Sequence, residues 1–134
     1  MVDSVGCCVR ALILRVCLQF AINNLKRQHA LLQNPQNELF LSVASVWEMQ
    51  IKQQLGKLEL RLPLAQLITD QQVISDLQML PILQTHALGV ADLPSIHKDP
   101  FDRMLIAQAS IEQMGLVSAD GLIKQYPIIV LWDN

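Results

Sequence analysis

The stretch Asp99-Pro100-Phe101-Asp102-Arg103-Met104-Leu105-Ile106-Ala107-Gln108-Ala109, followed downstream by Gly115-Leu116-Val117-Ser118-Ala119-Asp120, decides how this chain reads. Its first part predicts a helix over residues 102–114 stopped by Gly115, and Leu116-Val117-Ser118 predicts a short buried strand. One helix–turn–strand unit therefore carries a carboxylate at each end, Asp102 opening the helix and Asp120 just past the strand.

Working outward, the same alternation recurs. Residues 11–18 (ALILRVCL) predict a first strand, and residues 23–33 a helix that ends before Asn34-Pro35, where proline biases the preceding residue away from helical backbone. Glu38-Leu39-Phe40-Leu41 predicts a buried strand, with Ser42 or Ser45 as the N-cap of a helix running to Leu55 and stopped by Gly56. Residues 64–77 predict an amphipathic helix with Leu64, Leu67, Ile68, Val73, Ile74 and Leu77 on its apolar side. Residues 79–83 read as an extended connection, residues 85–91 as a short helix and Ile128-Ile129-Val130-Leu131 as a last strand. Strands alternating with helices predict an α/β domain with a mostly parallel central sheet.

At 134 residues the chain is expected to be a single domain with one real core, and 51% hydrophobic residues place it among folded globular proteins. Charged residues make up only 16%, which points to a partner-facing apolar surface, and a net charge of −2 gives no general attraction for nucleic acid. A nucleic-acid substrate then requires local or metal-mediated contacts. Cys7, Cys8 and Cys17 form no CxxC pair and are odd in number, so the reading is reduced, small core residues in a cytoplasmic protein. Residues 5–22 are largely apolar, but Arg10 and Arg15 interrupt them, so they read as internal strand and helix and not as a signal or membrane anchor.

Ligands of open parallel sheets collect at the carboxyl ends of the strands. Asp120 lies at that edge after its strand, Glu48 lies one turn into the helix after ELFL, and Asp102 begins a helix whose positive dipole end points there. Three converging carboxylates would repel one another by several kcal/mol in a partly buried site unless a cation offsets them. Mg²⁺ or Mn²⁺ suits an all-oxygen site and serves phosphodiester hydrolysis. Each acid also has a structural reading: Asp99 or Asp102 as a helix cap, Asp120 as a turn residue before Gly121, Glu48 as the ion-pair partner of Arg103. His86 and His97 read as ordinary surface or core histidines, because neither has a third ligand at metal spacing. Phe101 and Trp132 read as core, and Lys52 and Lys57 as solvated lysines that could meet a phosphate backbone.

Residues 39–52 (LFLSVASVWEMQIK), then Leu55-Gly56-Lys57-Leu58, then DPFDRMLIAQA and LVSAD together resemble the PIN-domain proteins, above all VapC-like toxins of bacterial toxin–antitoxin pairs. The likeness runs over residues 31–132, with the motifs in order and at matching gaps. It implies a three-layer α/β/α sandwich and a Mg²⁺- or Mn²⁺-dependent ribonuclease, often a homodimer, whose site receives a peptide of its antitoxin. Position by position, it implies that Glu48, Asp102 and Asp120 are catalytic and hold the metal, with Asp99 and Ser118 in support.

The resemblance stops at the N-terminus. The family's first strand ends in a metal-binding Asp followed by Thr or Ser, and the corresponding place here falls on Arg10, or on Arg15 if the alignment shifts. Asp3-Ser4 has the right letters but too little chain before it to make a strand. Residues 1–22 thus read as divergent, foreign or frame-shifted sequence joined to a family-like remainder. A guanidinium in place of a carboxylate weakens cation binding, so the alternative expectation is a catalytically inactive PIN fold that still binds an antitoxin-like partner.

Overall fold

The computed structural model describes residues 11–14, 36–60, 62–74, 76–118 and 120–131. These form strands β1 (Ala11–Leu14) and β2 (Glu38–Ser42), helices α1 (Val43–Gln54) and α2 (Leu64–Ile74), strand β3 (Gln78–Leu80), helices α3 (Gln84–Gly89) and α4 (Pro100–Glu112), and strands β4 (Gly115–Val117) and β5 (Val130–Leu131). Short 3-10 turns cover Val90–Asp92 and Ile123–Gln125. The strands pair in the order β3-β2-β1-β4-β5, and every pairing among the described residues is parallel.

A sheet covered on both sides needs apolar residues at successive positions of a strand, since these face opposite ways. Leu12, Leu14, Leu39, Leu41 and Val117 pack to one side with Met49 of α1 and Leu64 of α2. Ile13, Leu80 and Leu116 pack to the other with Leu105, Ile106 and Ala109 of α4. The result is the expected α/β/α sandwich, with α4 at the centre of the second layer. Each fully buried leucine or isoleucine contributes about 1.5–3 kcal/mol, so these two layers carry most of the stabilisation.

Ser42 is the N-cap of α1, its Oγ accepting from the Ala44 amide at 3.0 Å, so the helix starts there and not at Ser45. The same hydroxyl donates to Gln108 Oε1 at 2.6 Å. Gln108, in the middle of α4 and wholly buried, donates its Nε2–H to the Pro81 carbonyl at 3.1 Å. One amide side chain thus ties α4 to the ends of both β2 and β3. Gly56 follows α1 with φ +74, and its freedom at positive φ lets the Lys57 amide return to Lys52 O at 2.9 Å.

Several boundaries differ from the sequence reading. The extended connection at 79–83 begins as an edge strand, β3, because Met79 and Leu80 find the free side of β2. Helix α4 begins at Pro100 and is stopped by Gln113 in the left-handed conformation (φ 57); Gly115 already belongs to β4. Helix α2 ends at Ile74, which leaves Val73 and Ile74 81% and 75% exposed and not on a buried face. Phe101 is partly buried, with its ring edge-on to Trp47 at 5.3 Å. Residues 23–33, Cys7, Cys8, Cys17 and Trp132 lie outside the described residues.

Replacing Ser42 by alanine removes both a cap and the donor to a buried amide. The expected loss, read by chemical denaturation, is about 1–3 kcal/mol, and Ser42→Thr should recover part of it.

Candidate metal centre

The α4 N-terminus, the loop before it and the turn after β4 meet at the carboxyl edge of the sheet, where chain order reverses between β1 and β4. Asp99 is the N-cap of α4: its Oδ1 accepts from the amides of Phe101 (2.9 Å) and Asp102 (3.5 Å), with Pro100 pre-set at the first helical position. Asp102 therefore lies inside the first turn and not at its start, and it is only 2% exposed.

Asp120 meets it from the other side. Its Oδ1 accepts from the Leu122 (2.8 Å) and Ile123 (3.4 Å) amides, while its own amide donates to Ser118 Oγ at 3.0 Å. Ser118, buried at the end of β4, thus shapes the turn that aims Asp120. The turn-residue reading of Asp120 describes one carboxylate oxygen, Oδ1, while Oδ2 has a different task.

That task centres on His97, which the sequence reading set aside as an ordinary histidine. His97 Nε2 stands 3.1 Å from Asp102 Oδ2 and 3.2 Å from Asp120 Oδ2. Ligand atoms of these three residues all lie within 4.8 Å of one another, a spacing one cation can span. A histidine two places before a capping aspartate was the available sequence signal, but the partner that gives it meaning comes from the far side of β4.

The loop presenting His97 is clamped by two further residues. Arg103 donates from Nη1 to the carbonyls of Pro94 (3.0 Å) and His97 (3.3 Å), and from Nη2 to that of Val90 (2.9 Å). Tyr126 Oη accepts from the Ile96 (3.2 Å) and His97 (2.7 Å) amides and donates to the Pro94 carbonyl (2.9 Å). Arg103 is thus a loop staple, and the anticipated ion pair with Glu48 is not formed: Glu48 Oε2 pairs with Lys52 Nζ at 3.0 Å, one turn along α1.

Glu48 stands outside the three-residue group yet is buried beside it. Burial pushes its carboxyl above the ordinary value of 4.5; the Lys52 hydrogen bond and charge pull it down, and the charges of Asp99 and Asp102 push it up again. Ser45, one turn earlier on the same side of α1, has a buried hydroxyl with no partner among the described residues. The carboxylates of Asp102 and Asp120 with His97 between them, and the Glu48 carboxyl and an orphan hydroxyl nearby, fit a divalent cation. Asp3, Arg10 and Arg15 lie outside the described residues.

An α/β/α sandwich with acids gathered at the strands' carboxyl edge defines the class. The family model for the PIN domain matches residues 17–129, and the chain belongs to that family. Among solved structures of this fold, a chain of VapBC2 from Rickettsia felis, solved with a fragment of its promoter DNA, is 17% identical at a TM-score of 0.65, over 91% of this chain and 98% of that one. A chain of DNA-bound VapBC from Salmonella typhimurium is 13% identical at a TM-score of 0.61, over 92% of this chain and 98% of that one. No curated protein sequence matches.

Two measurements follow. Tyr126→Phe should lower stability by about 1–3 kcal/mol in thermal denaturation, since two loop amides lose their acceptor. For Glu48, a folded-state pKa above the unfolded one means its contribution to stability is full below pH 4.5 and is lost as pH rises through the raised value. Without divalent cation, Glu48→Gln should therefore melt higher than the parent at neutral pH, with the gap closing at about pH 4.

Proposed function

We propose that this chain is a VapC-like toxin: an endoribonuclease that hydrolyses RNA phosphodiesters with Mg²⁺ or Mn²⁺ held by Asp102, Asp120 and Glu48. The observation that carries this reading is the meeting of Asp102 and Asp120 at the carboxyl edge of a parallel sheet, with the Glu48 carboxyl close enough to feel the charge of Asp102. When bound, the cation supplies a more acidic water and charge neutralisation at the phosphate. The chain's own residues do the rest. Asp99 caps and orients the helix that carries Asp102, Ser118 shapes the turn of Asp120, and Lys52 beside Glu48 is placed to meet an approaching phosphate backbone.

Membership of the PIN family and the shared fold with chains of VapBC complexes support an antitoxin peptide as partner; a cytoplasmic homodimer is the working form this reading proposes. The described elements read as one domain, and among the described residues no helix is long and apolar enough to cross a membrane. Trp47, 60% exposed on α1 directly before Glu48, offers an apolar contact beside the site for that peptide.

One observation favours a second reading, a cation-free PIN fold that only binds its antitoxin. Strand β1 ends at Leu14, and chain order puts Arg15 next, where the family pattern calls for aspartate.

RNA cleavage separates the two. The parent should cleave single-stranded RNA only with Mn²⁺ or Mg²⁺, and Asp102→Asn should lose more than about 100-fold, since even the outer partners of metal ligands are worth 10–100-fold. Equal cleavage by parent and variant removes Asp102 from the reaction. Capture of an antitoxin peptide with no cleavage and no Mn²⁺-dependent thermal shift favours the binding-only reading.

A further inference from the structure

We propose that His97 serves this centre as a neutral hydrogen-bond donor that bridges Asp102 and Asp120, and not as a metal ligand, although its ring nitrogen lies within ligand distance of both; the part of this that concerns a bound cation rests on the metal reading above. The argument is one of proton bookkeeping. The Asp99 amide donates to His97 Nδ1 at 3.1 Å, and a backbone amide has only a proton to offer, so Nδ1 presents its lone pair. In the neutral ring the proton then sits on Nε2, the atom that faces carboxylate oxygens at 3.1 and 3.2 Å. Both are acceptors, so the N–H is shared between them.

A ligating imidazole needs its lone pair on Nε2. Moving the proton to Nδ1 would set two N–H groups against each other across the 3.1 Å contact with Asp99. That amide is fixed, because Asp99 is the cap of α4 and its carboxylate is committed to the next turn. The backbone that carries the ring is held as well, the His97 amide by Tyr126 and its carbonyl by Arg103. Arg103 and Tyr126 are thus positioning residues that act through His97.

The arrangement suits a cation site. An uncharged N–H holds two carboxylates together without the positive charge that Lys or Arg would set against an incoming cation. A carboxylate oxygen has two lone pairs, so accepting one N–H does not by itself bar a cation. Outer partners of this kind set the posture of metal-binding carboxylates and are worth 10–100-fold in affinity.

The test uses the full chain with ¹⁵N-labelled histidine. Long-range ¹H–¹⁵N correlation reports which ring nitrogen of His97, assigned by comparison with His97→Gln, carries the proton, first without and then with saturating Mg²⁺. The expected result is an Nε2-protonated ring in both states. Calorimetry with Mn²⁺ should show His97→Ala binding about 10-fold more weakly than the parent, with His97→Gln, which keeps a donor at the place of Nε2, recovering most of the loss. An Nδ1-protonated ring without metal overturns the proposal, as does loss of the Nε2 proton on adding Mg²⁺, or unchanged Mn²⁺ affinity in His97→Ala. If the parent binds no cation while the ring is Nε2-protonated, the metal reading falls and the bridge stands.

Discussion

Two buried or half-buried carboxylates cannot share one edge of a sheet unless something stands between them, and among the described residues the Nε2 face of His97 stands there. At about 4 Å and an effective dielectric of about 20, a pair of like charges costs roughly 4 kcal/mol. The loop over residues 93–99, the cap of α4 and the turn after β4 all converge on that contact. Each has its own anchor: Tyr126 and Arg103 for the loop, Asp99 for the helix, Ser118 for the turn. The centre is therefore set by backbone amides and carbonyls held in place, and its acids do not depend on one another for orientation.

The second support lies deeper. Gln108 binds Ser42 and the Pro81 carbonyl, so the helix carrying Asp102 is locked to the carboxyl ends of β2 and β3. His86, fully buried, accepts from the Leu83 amide at 3.0 Å and meets Glu112 Oε2 at 2.7 Å, which ties the last turn of α4 to the start of α3. These polar links run through an otherwise apolar layer, and every one is paired. They specify the position of α4 along the sheet, which leucine and isoleucine contacts alone would leave free to slide.

Glu48 shows the opposing tendency. Its burial beside Asp99 and Asp102 disfavours the charged form, and Lys52 offsets that only partly. A fold selected for stability alone would have a neutral residue there. An acid held against its preference, next to two more and an orphan hydroxyl on Ser45, is the pattern expected of a site whose balance includes a cation.

Much of this was legible in the chain before folding. Ser42 after an apolar strand, Gly56 after an amphipathic helix and Asp99 or Asp102 as the cap of a long one mark elements through local backbone chemistry, so α1, α4 and the parallel α/β class follow from residues close in sequence. Glu48, Asp102 and Asp120 stand out for the same reason, as acids at the edges of apolar runs. The rest required tertiary structure. Strand β3 is three residues long and ends at a proline, so only the free edge of β2 makes it a strand. Arg103 turns to loop carbonyls and Glu48 to Lys52 because the loop before α4 folds back over its own first turn. His97 is one histidine among three until β4 carries Asp120 round to face Asp102. Residue types and local spacing determined which elements form and which acids lie near strand ends; only the packing of α4 across the sheet decided which side chains meet, because those contacts join residues that no local periodicity connects.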